Sequence, residues 1–72
     1  METTYRPGDQ VEVYLDARRA RSAGWYAGTI VRVDPYSEHR NFYWVEFDPE
    51  SQVLLGFRAI SVLNPKHVRS VA

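Results

Sequence analysis

Apolar and polar positions alternate with a period of two along most of this chain, which predicts strands rather than helices. In "QVEVYL", Val11, Val13 and Leu15 fall on one face and Glu12 and Tyr14 on the other, as in a half-buried strand. "GWYAGTIVRVD" is long and β-branched and reads as a second strand. "NFYWVEFD" reads as a third, closed by the turn pair Asp48-Pro49. "QVLLGFRAISV" reads as a fourth, with Gly56 marking a bulge or sharp bend. "HVRSV" is a short fifth.

The connections carry turn chemistry. "RPGD" ahead of the first strand combines a preset φ at Pro7 with the permissive backbone of Gly8. "DPYSEHRN" joins the second and third strands, and "LNPKH" predicts one helical turn opened by Asn64 and Pro65. "YLDARRARSA" has good helix formers but no apolar face at helical spacing, so it reads as a loop. Together these elements describe an all-β fold: a small, bent, five-stranded antiparallel barrel with one helical turn before the last strand, a single domain over residues 1–72. Foldable sequence begins directly after Met1, which leads us to expect that this domain is the whole gene product.

The absence of cysteine removes disulfides and thiolate metal sites as sources of stability, leaving apolar packing. Apolar residues make up 44% of the chain and include ten aromatics, a large payload for so small a core. Nine basic and nine acidic residues cancel, which argues against binding that runs mainly on phosphate charge. Eight of the nine cations are arginine, the residue suited to bidentate and stacking contacts. No stretch reads as a membrane span or signal peptide, so a cytoplasmic protein is the expectation. His39 and His67 stand far apart, and the four glycines are too scattered for a phosphate loop. The chain therefore reads as non-catalytic, with no cofactor and no metal.

"GDQVEV", "GWYAGTIV" and "YWVEFD" resemble the signature blocks of Tudor and Agenet domains, members of the SH3-like barrel group. "LNPKHVRSV" is similar to the helical turn and final strand of such barrels. The resemblance runs from about Arg6 to Val71 and implies an SH3-like barrel. In Tudor domains it also implies an aromatic cage that holds a methylated cation through cation–π contact. On that pattern Tyr26 and Phe47 match cage positions. Leu15 stands where a cage has a ring, with Tyr14 or Trp25 as substitutes, and Pro49-Glu50-Ser51 follows where cages supply an acid.

Trp25 and Tyr26 must face opposite ways on a strand. We expect Trp25 to pack under the arginine loop and Tyr26 to line the barrel's open end. Phe42, Tyr43 and Trp44 cannot all enter one core, and Val31 and Val33 are expected on the face opposite Ile30. This apolar surplus is either covered by a loop or marks an interface. The leading functional expectation is a binding module for a peptide or protein surface, one with a cationic side chain being suited to it. Its shallow aromatic groove would use Tyr14, Tyr26, Tyr43 or Trp44, and Phe47, with Asp48 and Glu50 as a polar rim. Two alternatives stay open: a nucleic-acid-binding barrel using Arg18, Arg19 and Arg21, and a small structural subunit or homo-oligomer.

Overall fold

A computed structural model describes residues 4–71 of the chain. The alternation in the first strand is realised directly: in β1 (Gln10–Leu15), Val11, Val13 and Leu15 are buried, and the residues between them are not. The turn ahead of it is closed by Asp9, whose carboxylate accepts from the Arg6 amide at 2.9 Å, with Gly8 at φ 98°. β2 (Gly24–Ser37) and β3 (Arg40–Phe47) form a long hairpin. Residues 34–37, expected in a connection, belong to β2, and only Glu38 and His39 make the turn. β4 (Ala59–Val62) and β5 (Val68–Ser70) complete one antiparallel sheet in the order β4-β3-β2-β1-β5. The helical turn before β5 is a 3₁₀ turn, Pro65–His67, in which the Asn64 side chain accepts from the Lys66 amide at 3.0 Å.

The expected fourth strand is corrected. Its first half is a helix, α1 (Pro49–Leu55), and only its end is β4. The physical reason lies at the helix ends. Pro49 occupies the first turn, where its missing amide costs nothing, and Glu50 adds favourable charge there. Gly56 ends the helix in the left-handed conformation, φ 81°, with its N–H donating to the Gln52 carbonyl at 2.8 Å. Gly56 is thus a helix stop rather than a strand bulge.

A second correction concerns β2. The β2–β3 register slips between Ile30, opposite Val45, and Arg32, opposite Trp44, leaving Val31 as the extra residue of a bulge. The bulge resets the face parity. Val33 lies opposite buried Tyr43 and packs on the core, on the same side as Ile30, while Val31 is 50% exposed. The backbone at Ile30 bonds instead to the N-terminal turn, donating to Asp9 and accepting from Gly8.

All five strands send side chains to one core, including Val11, Leu15, Ile30, Tyr43, Val45, Phe47, Val62 and Val68. The sheet is rolled far enough that Val13 and Leu15 of β1 line the same 330 Å³ cavity as Ile60 and Val62 of β4. β4 and β5 remain its two edges, and no ladder joins them. Tyr5 sits against β3 and β5 on the core side. Its ring meets Tyr43 edge-on at 5.3 Å and its hydroxyl donates to the Val68 carbonyl at 3.4 Å.

That position has a consequence for pH. Burial, and secondarily the Tyr43 phenol, raise the Tyr5 hydroxyl above its ordinary 10.0, against a smaller opposing hydrogen bond with Ser70. The native state therefore keeps this proton to higher pH than the unfolded chain does. The resulting stability is complete below pH 10 and is lost as pH rises through the folded-state value. Tyr5→Phe is expected to flatten the alkaline side of the stability profile. Urea midpoints measured from neutral pH to about pH 11 check this; an unchanged alkaline decline would assign it to another group.

Candidate binding site

The cross-strand register decides where the rings go. Tyr26 lies opposite Val13, a core residue, and Trp25 opposite Tyr14, an outward one. Trp25, expected to pack inward under the arginine loop, therefore stands on the outer face, while Tyr26 packs on the edge of the core. Trp25 meets Tyr14 edge-on at 5.6 Å, and Tyr14 in turn meets His67 at 6.0 Å. The indole face is covered by the chain's own cation. The Arg69 Cζ lies 4.0 Å from the ring centroid, and Glu12 holds its Nε at 2.9 Å.

The seven groove residues do not converge. Tyr43 and Phe47 belong to the core, 6% and 2% exposed, and Phe47 packs edge-on against Phe57 at 5.7 Å. Trp44 is on the outer face, where its Nε1 donates to Asp34 at 3.0 Å; Arg32 pairs with the same carboxylate at 2.8 Å. Asp48 and Glu50 sit exposed at the start of α1, and Asp48 uses its own amide to bond the Ala27 carbonyl. Of the seven, Tyr26 is the ring that reaches a surface groove beside α1.

That groove, about 470 Å³, is lined by Tyr26, by Val53, Leu54, Leu55 and Gly56, and by Arg21 and Ser22 of the arginine loop. Sequence reading missed Val53 and Leu54 because it placed them on a strand, where one would have turned inward. On a short helix both face outward, 84% and 65% exposed. The Tyr26 hydroxyl donates to the Ser22 carbonyl at 2.5 Å, tying the arginine loop to β2 and setting Arg21 at the rim.

The loop itself begins with a carboxylate-capped turn: Asp16 accepts from the Arg18 amide through its side chain and from Arg19 and Ala20 through its carbonyl. Ala20 is buried and anchors the loop to the core. Arg18, Arg19 and Arg21 are exposed and enter no ion pair among the described residues, whereas Arg32, Arg58 and Arg69 each face a carboxylate on the sheet. Arg19 also lines the cavity between β1 and β4, together with Tyr14, Phe42 and His67. Three cations without an ion pair among the described residues thus share one loop of a chain whose net charge is zero.

Compared with protein-family models, curated proteins and solved structures, the chain matches none. No helix among the described residues is long and apolar enough to cross a membrane.

Proposed function

We propose that this chain is a non-catalytic binding module, an SH3-like barrel of the Tudor/Agenet type, that recognises a protein or peptide surface. The barrel reading is supported by the order of the five strands, the kinked β2 shared between two partners, and the 3₁₀ turn before the last strand. The observation that carries the functional reading is the pair Val53 and Leu54, set out in water beside a groove floored by Tyr26. Nothing in the helix requires them: exposed positions of a seven-residue helix gain nothing from valine, a modest helix former. An apolar side chain suits this groove better than a caged cation. The cage position Phe47 is in the core, and Trp25, a substitute ring for the cage, already holds Arg69.

A second reading has its own support. The unpaired arginines, with Arg19 close to Tyr14, Phe42 and His67, suit stacking and phosphate contact with a single-stranded nucleic acid. Selection from a random peptide display library, set beside titration with random oligonucleotides at two salt concentrations, separates the two. Enriched peptides whose binding Leu54→Asp abolishes are the expected result. Oligonucleotide binding that falls steeply with salt, with no peptide enriched, would replace it with the nucleic-acid reading. A mass that grows with concentration in light scattering would assign the groove to a second copy.

A further inference from the structure

We infer that the groove between α1 and the arginine loop takes an acidic peptide segment carrying a large apolar side chain; this rests on the protein-binding reading above. Three observations fix the chemistry of the occupant. Most of the groove lining is apolar, with Tyr26 and Leu55 packed on the core and Val53 and Leu54 exposed. Among the described residues the charged group lining it is Arg21, and no carboxylate lines it. Arg21 also belongs to a loop whose three guanidinium groups find no acid among the described residues. A partner that buries a leucine or phenylalanine here therefore meets positive charge at Arg21, and carboxylates beside that side chain satisfy it.

A second copy of this chain fits less well. The lining amounts to seven residues, far fewer than the roughly 20–30 a side of a stable interface. The site is also held ready. The Tyr26–Ser22 hydrogen bond and the buried Ala20 fix the loop, so little ordering is needed when a peptide docks.

Three synthetic peptides of equal length test this against isotope-labelled protein: one with Leu and Phe among Asp and Glu, one with the same apolar residues among Lys and Arg, and one acidic with Ala at the apolar positions. Amide shifts are read by NMR. The acidic apolar peptide is expected to move Arg21, Ser22, Tyr26 and residues 53–56, and to bind about tenfold more tightly than either control. Added salt is expected to weaken it, since exposed charges are screened. Leu54→Asp and Arg21→Glu, both at exposed positions, are each expected to weaken it about tenfold or more, with thermal unfolding unchanged. Preference for the basic peptide at the same residues overturns the inference and leaves the protein-binding reading in place. Shifts confined to other surfaces, or no shift with any peptide, overturn it as well; only the last, joined to an empty display selection, removes the reading beneath it.

Discussion

Phe47→Ala is expected to remove most of the stability of the fold. Phe47 is 2% exposed, packs edge-on against Phe57, and lies where β3 crosses Gly28 of β2. Deleting a buried phenyl ring costs the lost transfer energy plus the cavity left behind, about 3–5 kcal/mol. A chain of 72 residues has roughly 4–11 kcal/mol in all, at roughly 0.05–0.15 kcal/mol per residue. Urea unfolding followed by Trp25 and Trp44 fluorescence is therefore expected to show a strongly lowered midpoint, with no folded baseline where the starting stability lies at the low end of that range. Phe47→Leu, which keeps most of the volume, is expected to fold. The experiment also bears on function, because the sequence resemblance gives this ring to a ligand cage. A cage ring could be removed with the midpoint unchanged and ligand binding lost. That outcome would return Phe47 to the binding surface and displace the groove at α1.

The fates of Phe47 and Trp25 show what the sequence could and could not disclose. β1 was legible from its apolar alternation, β2 and β3 from β-branched and aromatic runs bounded by turn residues, and the Asn64-Pro65 turn because its chemistry is local. Alternation says that Trp25 and Tyr26 point apart, and only the pairing of Tyr26 with Val13 says which one turns inward. Parity also fails across a bulge: one extra residue at Val31 returns Val33 to the core, and a period of two holds no sign of it. The helix was a different kind of miss. Asp48-Pro49-Glu50 and Gly56 are ordinary start and stop signals, but the apolar run Val53-Leu54-Leu55 between them reads equally as a strand. The groove follows from that helix and from a loop distant from it in sequence, with Tyr26 lining the same groove, and so was beyond local pattern. Arg69 on Trp25 is likewise a meeting of β5 with β2 across β1.

Two glycine substitutions in the same strand are expected to differ sharply, and the contrast tests the crossing at the centre of the fold. Gly28 is the residue of β2 that pairs with Val11 of β1 and with Phe47 of β3. A Cβ built there would lie 2.7 Å from the Glu46 carbonyl oxygen, 2.7 Å from a Val45 methyl and 3.2 Å from the Phe47 Cα. Two of those three atoms are backbone, and Val45 is fully buried, so relief requires β2 and β3 to separate. Overpacking of this kind costs about 1–3 kcal/mol, and Gly28→Ala belongs at the upper end because a sheet ladder must move with the methyl group. Gly24, at the start of the same strand, has nothing within 4 Å of its added Cβ. There the substitution mainly restricts the unfolded chain, so Gly24→Ala is expected to be neutral or stabilising by about 0.4–1 kcal/mol. Urea midpoints of the two variants measure the difference directly. Equal midpoints would mean that β2 and β3 are not pressed together at Gly28, and the tight crossing that rolls the sheet over its core would have to be sought at the Val31 bulge instead.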